Sequence, residues 1–311
     1  MAEAPIFSSL WLENFKTSGK REIDFGRIAS VKGRSGADRS QVFDAMRVLH
    51  GIAQGKAASC FPALWFGSDW PTTLSLAFDF GDGDRLTYSA TLQRIDDKRV
   101  RVTEERLDGA GDDLLVRRRH CYTNVASREK SGIATGSFAL YDAAKVAGSG
   151  DPVARFAELL AKLWLLDPDP NAMRSEIGFG VVNSDSGDFA DFATCMVVQQ
   201  QQKPFAVAMR EAVLRLCPGL VGYSVETNAK GVPYLAVRHM GDLDSRGTPF
   251  SLLDNAEKIL FLVAFVCAVN ESAAPISVMW NSLIGWLGSG GAAVKTLRRS
   301  FAHRGQLVML S

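Results

Sequence analysis

The sequence predicts an α/β fold, and three patterns carry that prediction. Ile28–Val31 is a short apolar segment typical of a buried strand, and a glycine-containing turn leads from it to a helical apolar face over Gln41–Leu49. Leu74–Phe80 and Leu86–Leu92 alternate apolar with polar residues on either side of a Gly-Asp turn, as the strands of a hairpin do. The last third of the chain alternates predicted strands with predicted helices. With 311 residues, the chain can form two domains or one large domain with an insert.

The first part of the chain adds further strands to this hairpin. Ser9–Phe15 mixes apolar and polar positions, Glu22–Phe25 alternates, and Arg99–Leu107 continues the alternation beyond the hairpin. We therefore expect an N-terminal lobe built mainly of strands with one helix.

Helical signals dominate the middle of the chain. A helix over Asp151–Leu165 is predicted because it opens with an N-cap aspartate followed by proline at the first helical position. Leu166–Pro170 ends that helix with two prolines. Asp188–Val198 and Phe205–Leu216 have helical spacing, so the middle reads as a mainly helical insertion.

The last third predicts a hairpin, a buried helix and two strand–helix pairs. Leu220–Thr227 and Val232–Arg238 flank a Lys-Gly turn. Leu252–Val269 is apolar on all sides of a helix, which is typical of a helix buried in a core. The remaining predicted elements are the strand Ile276–Trp280, the helix Ala292–Ala302 and the strand Gln306–Leu310.

Composition and charge exclude several classes of protein. Apolar residues make up 47% of the chain and charged residues 22%, which excludes a disordered or collagen-like chain. The formal charge of +1 gives no overall attraction to nucleic acid or to an anionic membrane, although a local patch stays open. The five cysteines form no CxxC pair and the four histidines are scattered, so we expect free cysteines and no metal site. The longest apolar run has eleven residues and the N-terminus lacks a signal-peptide pattern, so we expect a cytoplasmic protein.

The segment between the strand and the helix near residue 35 resembles a phosphate-binding P-loop. The P-loop pattern GxxxxGK[ST] is matched by Gly33 and Ser40, while Asp38 stands at the second glycine and Arg39 at the lysine. We take the degenerate nucleotide-binding loop to be Gly33, Ser35, Gly36, Asp38, Arg39 and Ser40.

Further motifs follow the order found in one ATPase family. Asn14-Phe15 matches its "NF" strand end, Ile23–Phe25 its "IDF" strand and Phe43–Met46 its "DAL" helix. Pro168–Arg174 lies where the family carries a "P..MR" segment, and Leu252–Ala256 lies where it carries the signature "LSDGT". Pro275–Gly285 lies where it carries an apolar strand followed by "EEPENGLHP", and Arg304–Met309 lies where it carries "RGQVIVTTHS". The chain therefore resembles the ABC-type ATPase heads of the RecF, SMC and OLD-like group, which includes AAA-type cores of bacterial defence and repair systems.

This resemblance implies an α/β P-loop NTPase fold: a two-lobed ABC-ATPase-like head with a mixed sheet and a helical insertion. We expect an N-terminal lobe with the degenerate P-loop over residues 1–114 and a mainly helical insertion over 115–200. A C-terminal lobe with the signature and Walker B segments follows over 201–311, and the three parts form one interrupted domain.

The resemblance also shows which catalytic groups are replaced. Asp38 places a carboxylate where phosphate should approach bare backbone, and two like charges about 4 Å apart repel by roughly 4 kcal/mol at an effective dielectric of about 20. That corresponds to about three decades of affinity. Ser40 keeps a hydroxyl that can bind Mg²⁺, and Arg39 keeps a positive charge.

The signature and Walker B positions depart further from the family. Leu253 and Asn255, on either side of Asp254, replace the serine and glycine that contact the γ-phosphate. Trp280 and Asn281 replace the two Walker B acids. The family's switch histidine would follow the last strand, and the sequence carries none there.

We therefore expect a catalytically dead pseudo-ATPase with no cofactor, acting as a binding or scaffold subunit. Its partner would be an effector protein, an active ATPase or a second copy, and the resemblance implies DNA repair or antiphage defence. The alternative is a residual nucleotide sensor or weak NTPase that a partner completes. In that alternative Arg39 and Ser40 bind ATP and Mg²⁺.

Two basic segments remain as candidate contact surfaces. Lys295, Arg298, Arg299 and Arg304 have spacings that can form one basic face. Arg117–His120 is a short basic run that we expect to be a solvated loop end. DNA contact would need such a local patch or a partner, and a merely solvated face is the alternative.

Overall fold

The computed structural model describes most of the chain, which divides into two compact units, residues 1–163 and 164–311. The described residues are 5–16, 19–32, 36–56, 71–81, 83–95, 100–118, 121–125, 129–134, 137–148, 150–178, 188–241, 246–273, 275–288 and 291–311, with the backbone alone at 36–38 and 129.

The first unit is built on a large antiparallel sheet. Its elements are β1 (Ile6–Glu13), β2 (Lys20–Asp24), β3 (Ile28–Val31), α1 (Gly36–Ala53), β4 (Thr72–Asp79), β5 (Arg85–Arg94), β6 (Val100–Gly109), β7 (Asp112–Arg118), β8 (Cys121–Asn124), β9 (Glu129–Gly132), α2 (Ala139–Val146) and α3 (Pro152–Ala161). Eight strands pair in the order β2-β1-β4-β5-β6-β7-β8-β9. The predicted hairpin is confirmed as β4 and β5, which pair from Thr72 opposite Leu92 to Asp79 opposite Arg85.

The core of this unit lies where alternating strand residues meet the helices. Leu86, Tyr88, Ala90 and Leu92 alternate along β5 and are all buried. Phe156 of α3 packs edge-on against Phe78 of β4 with ring centroids 5.2 Å apart. The N-cap prediction for α3 is confirmed, because the Asp151 side chain accepts a hydrogen bond from the Val153 N–H at 2.7 Å.

One basic residue that we expected in a solvated loop is buried instead. Arg117 lies on β7 opposite Glu105 on β6, and both side chains have no exposed surface. Arg117 Nη1 donates to Glu105 Oε2 at 2.9 Å, and Tyr88 donates to Glu105 Oε1 at 2.8 Å. Glu105 also accepts from the backbone N–H groups of Ala139 and Leu140, so it caps the start of α2. The prediction was wrong for Arg117 because its partner acid lies on a different strand; Arg118 is exposed, and Arg119 and His120 lie outside the described residues.

The expected domain boundaries can be compared with the observed strands and helices. The boundary between 114 and 115 falls within β7, and Cys121–Asn124 and Glu129–Gly132 continue the sheet as β8 and β9. The helix predicted over Asp151–Leu165 ends at Ala161, and Trp164–Leu166 form a strand.

The second unit contains one parallel and one antiparallel set of strands. Its elements are β10 (Trp164–Leu166), α4 (Phe192–Gln200), α5 (Lys203–Leu216), β11 (Leu220–Thr227), β12 (Pro233–His239), β13 (Thr248–Pro249), a 3₁₀ turn (Phe250–Leu252), α6 (Asn255–Ser272), β14 (Ser277–Trp280), α7 (Leu283–Leu287), α8 (Ala292–Phe301) and β15 (Gln306–Leu310). β10, β14 and β15 run parallel in that order. β11, β12 and β13 pair antiparallel, which confirms the predicted hairpin over β11 and β12.

Helix α6 forms the centre of the second unit, as its apolar sequence predicts. Residues 259–269 are buried except for the half-buried Leu260. Phe265 contacts the rings of Phe192 and Phe205 at centroid distances of 5.5 Å each, and Trp164 of β10 stacks on it at 6.2 Å. In the part of the chain that the structure describes, no helix is both long and apolar enough to cross a bilayer.

Candidate functional site

The P-loop-like segment leads directly into α1. Gly33 and Ser35 lie outside the described residues, and Gly36 and Asp38 are described only as backbone of the first helical turn. Arg39 and Ser40 follow in that turn and are half-buried. Strand β3 before this segment and helix α1 after it stand in the order in which a strand and a helix flank a P-loop.

The Ser40 hydroxyl, which the family resemblance assigns to Mg²⁺, is engaged within its own helix. Ser40 Oγ donates to Asp44 Oδ2 at 2.9 Å, one turn further along α1. Lys16 Nζ forms an ion pair with the same oxygen. Asp44 is buried, so its carboxylate depends on these two partners for compensation of its charge.

Lys16 and Asp44 are two residues of this site that the sequence motifs do not predict. The contact between Ser40 and Asp44 could have been predicted from their spacing, because residues four apart are neighbours on the surface of a helix. The contact of Lys16 with Asp44 is harder to predict, because the two residues are 28 positions apart in the sequence. The Lys16 backbone is left-handed, with φ of 58°, as is that of Asn14 with φ of 55°. These two conformations turn the chain sharply after β1.

The signature-like residues form the N-terminus of α6. Asp254 is the N-cap: its Oδ1 accepts from the Glu257 N–H at 2.7 Å, while Glu257 Oε2 accepts from the Asp254 N–H at 3.3 Å. This is a complete capping box. Leu253 is buried, and Asn255 Nδ2 donates to Asn171 Oδ1 at 3.4 Å. Two carboxylates therefore already occupy a helix end that would otherwise attract a phosphate.

A buried lysine on α6 holds the chain segment that follows β10. Lys258, on the first turns of α6, is buried and donates from Nζ to the carbonyl oxygen of Pro170 at 3.0 Å. This bond ties the segment after β10 to α6. Sequence patterns missed Lys258, because a lysine in an apolar helix gives no sign of its acceptor 88 residues away.

The Walker B-like residues lie at the carboxyl end of β14. Trp280 has no exposed surface, and its indole Nε1 has no hydrogen-bond partner among the described residues. Asn281 Nδ2 donates to Asp167 Oδ1 at 2.9 Å, and the Asn281 N–H donates to the Leu166 carbonyl at 2.8 Å. Asp167 follows the neighbouring parallel strand β10, so the two strand ends meet at one edge of the sheet. Ser282 then turns the chain with φ of 63°.

These residues do not fit a Mg²⁺ site. Mg²⁺ takes oxygen ligands in octahedral geometry, whereas an indole offers none and the Asn281 amide is turned to donate to Asp167. Among the described residues there is no group of three or more histidines, cysteines, aspartates or glutamates that could hold a metal ion.

The predicted basic face is divided between exposed and half-buried side chains. Lys295 and Arg299 of α8 are exposed and Arg298 is half-buried, and their spacing places them on neighbouring positions of the helix surface. Arg304 follows α8 and donates from Nη1 to the Glu271 carbonyl at 3.2 Å, near the C-terminal end of α6. A cation at that end interacts favourably with the helix dipole.

The described cysteines are free thiols, as expected, and three of them are buried. Burial raises the pKa of the Cys195 thiol to about 11. It raises the pKa of Cys217 and of Cys267 to about 12. These thiols are neutral near pH 7 and therefore are poor nucleophiles.

No family model and no curated protein matches the chain. Solved structures do match. An SMC head bound to the C-winged helix domain of ScpA has a TM-score of 0.54 at 16% identity, covering 98% of this chain and 89% of that chain. An SMC head domain with a coiled coil and joint derived from Pyrococcus yayanosii has a TM-score of 0.51 at 12% identity, covering 98% and 92%. An SMC head domain with an extended coiled coil, bound to the C-terminal domain of ScpA derived from Pyrococcus furiosus, has a TM-score of 0.50 at 12% identity, covering 99% and 89%. The chain therefore has the fold of SMC head domains, which is the P-loop α/β fold of ABC-type ATPases.

Proposed function

We propose that this chain is a catalytically inactive ABC-type ATPase head that acts as a binding or scaffold subunit for a protein partner. The observation that carries the proposal is the carboxyl end of β14, where Trp280 is fully buried and Asn281 is bonded to Asp167. The motif resemblance matches these two residues with the two Walker B acids. One of those acids supports Mg²⁺ and the other orients the attacking water in phosphoryl-transfer enzymes of this kind. Neither replacement can perform either role.

The packing around β14 supports inactivity more strongly than the substitutions alone. The Trp280 side chain is completely enclosed by the core of the second unit. The Asn281 amide is held by Asp167, so its oxygen and nitrogen have fixed directions. The position of the catalytic acids is thus filled by a side chain that stabilises the core.

The N-terminus of α6 supports the same conclusion by a separate argument. In an active head the signature helix presents free N–H groups to a phosphate. Here the carboxylates of Asp254 and Glu257 accept hydrogen bonds at that end. An incoming polyphosphate would meet two negative charges at the point where a helix dipole alone would attract it.

The proposed binding role comes from the fold and from what similar heads bind. Two SMC heads with this fold are bound to parts of ScpA, a different protein. For this chain we propose a protein partner too: an effector, an active ATPase or a second copy, in a cytoplasmic system for DNA repair or antiphage defence related to the RecF and OLD-like group. DNA contact would run through Lys295, Arg298 and Arg299 or through the partner.

Calorimetric titration of the purified chain with ATP and Mg²⁺ tests the proposal. We expect no binding tighter than about 100 μM, which corresponds to about −5.5 kcal/mol. Tighter binding that is lost in Arg39→Ala would overturn the proposal in favour of a nucleotide sensor. Arg47→Ala is the matched control, because Arg47 is an exposed arginine on the same helix.

A further inference from the structure

Helix α5 presents a narrow stripe of alternating basic and apolar side chains to solvent. Lys203, Val207, Arg210 and Leu214 are separated by four, three and four residues, so they lie within about 60° of one another around a helix of 3.6 residues per turn. All four are exposed, with 56% of Val207 and 49% of Leu214 accessible. We call these four residues the α5 stripe.

The opposite side of α5 is firmly packed, so the α5 stripe is a preformed surface. Phe205, Met209, Ala212 and Leu216 are buried in the core of the second unit. Phe205 packs edge-on against Phe265 of the central helix α6 with ring centroids 5.5 Å apart. A ligand would therefore meet an ordered helix and would not have to fold it first, which lowers the entropic cost of binding.

The two cations of the α5 stripe form no ion pair with the described carboxylates. Burial raises the pKa of the Tyr223 hydroxyl, and Arg210 lies near enough to Tyr223 to lower that pKa in part. In the described segments, no carboxylate lies within ion-pair distance of Lys203 or Arg210. Glu211 is the exposed acid on α5, and it lies about 100° around the helix from Arg210. The two exposed cations therefore lie on either side of Val207 without a carboxylate partner in the described segments.

We infer that the α5 stripe is a docking surface for an acidic amphipathic helix of a protein partner. Such a helix would pack apolar side chains against Val207 and Leu214, which are seven residues apart like the apolar positions of a coiled-coil seam. Its Glu or Asp side chains would lie opposite Lys203 and Arg210. Helix-on-helix recognition of this kind combines apolar anchors with charges that select the partner.

The same charges disfavour the other occupants. A second copy would bring two further cations and no carboxylate from its own stripe, so the cations would face each other in a parallel pairing and would face apolar side chains in an antiparallel pairing. Nucleic acid would pair with the cations but would leave Val207 and Leu214 against a hydrated phosphate backbone. An acidic helix satisfies both kinds of side chain at once.

This inference rests on the proposed binding function, whose own test is ATP titration. The probe is a synthetic 21-residue helical peptide with leucine at heptad a positions and glutamate at d positions, labelled for fluorescence anisotropy; a control peptide carries lysine at d. We expect the intact chain to bind the glutamate peptide at least about tenfold more tightly than the lysine peptide, a difference of about 1.4 kcal/mol.

Charge reversal on the stripe supplies the specific test. The double variant Lys203→Glu with Arg210→Glu should lose at least about tenfold affinity for the glutamate peptide and gain affinity for the lysine peptide. Arg215→Glu, which changes an exposed cation on the same helix outside the stripe, should change the affinity by less than about threefold. Circular dichroism confirms that each variant is folded.

Three outcomes overturn the inference. The first is equal binding of both peptides. The second is peptide binding unchanged by the double variant. The third is a dimer in sedimentation equilibrium that the double variant abolishes, because that would make a second copy the occupant. Each of these leaves the proposed pseudo-ATPase function standing, whereas tight binding of ATP removes that function and leaves the docking surface unaffected.

Discussion

Placing an acid at the end of β14 by Trp280→Asp should destabilise the protein and should not produce nucleotide binding. Truncating a fully buried tryptophan costs about 3–5 kcal/mol, because contacts are lost and a cavity remains. A carboxylate without a partner in that cavity adds about 1–3 kcal/mol or more. The sum is comparable with the whole stability of a typical domain, about 5–15 kcal/mol.

Trp280→Phe is the matched control for that experiment. Phenylalanine loses part of the indole, worth about 2 kcal/mol at about 0.8 kcal/mol for each buried carbon. It also removes the unpaired Nε1–H, whose burial costs about 1–3 kcal/mol. The two effects offset each other, so we expect a change within about 1 kcal/mol in urea unfolding. A Trp280→Asp variant that unfolds at the wild-type urea concentration and binds MgATP would refute this reasoning.

Three further predictions concern stability and reactivity. Asp254→Ala should lower the free energy of unfolding by about 1 kcal/mol through loss of the N-cap of α6, measured in urea; no change would contradict the capping role. Glu105→Gln should cost about 3–5 kcal/mol, since it leaves Arg117 buried without its counter-charge, and a loss below about 1 kcal/mol would contradict that role. The Cys217 thiol, whose pKa is raised by burial to about 12 against an ordinary 9.0, should react with iodoacetamide at pH 8 far more slowly than Cys121. Its thiolate fraction is about a thousandfold lower than that of an ordinary thiol, and equal alkylation in mass spectrometry would contradict it.

Glu158→Ala is the control for the two carboxylate substitutions. Glu158 pairs with Lys162 on the surface of α3, and both side chains are largely exposed. An exposed pair of this spacing contributes about 0.3–0.5 kcal/mol, so the variant should unfold almost as the wild type does.

Local patterns predicted the elements whose determinants are local. The N-cap aspartate and proline marked the start of α3, and the apolar run predicted a buried α6. The hairpin of β11 and β12 was also predicted, because alternating apolar and polar residues and a Lys-Gly turn lie within one short segment. Strand β10 was missed: its three residues follow a helix, and they become a strand by pairing with β14, more than a hundred residues later.

The contacts of the candidate site could not be predicted from the sequence. The interpretation of Trp280 and Asn281 as replaced Walker B acids rests on an ordered series of motifs and stays a prediction. It does not show that Asn281 is bonded to Asp167, 114 residues away, or that Arg117 is compensated across a strand pair. Both contacts depend on chain segments that only the folded sheet brings together.

The bond between Asn281 and Asp167 bears on how such a site could be lost and regained. A glutamate or aspartate at 281 would place a second carboxylate beside Asp167, where the amide now donates at 2.9 Å. Two like charges about 4 Å apart at an effective dielectric of about 20 repel by roughly 4 kcal/mol, so one of them would take up a proton. An acid introduced at 281 would therefore share one proton with the exposed Asp167 when the repulsion raises the pKa of one of the two groups, and Trp280 would still fill the neighbouring space. The packing of Trp280 and the bond between Asn281 and Asp167 therefore act at the same strand end, and both support the proposed non-catalytic role.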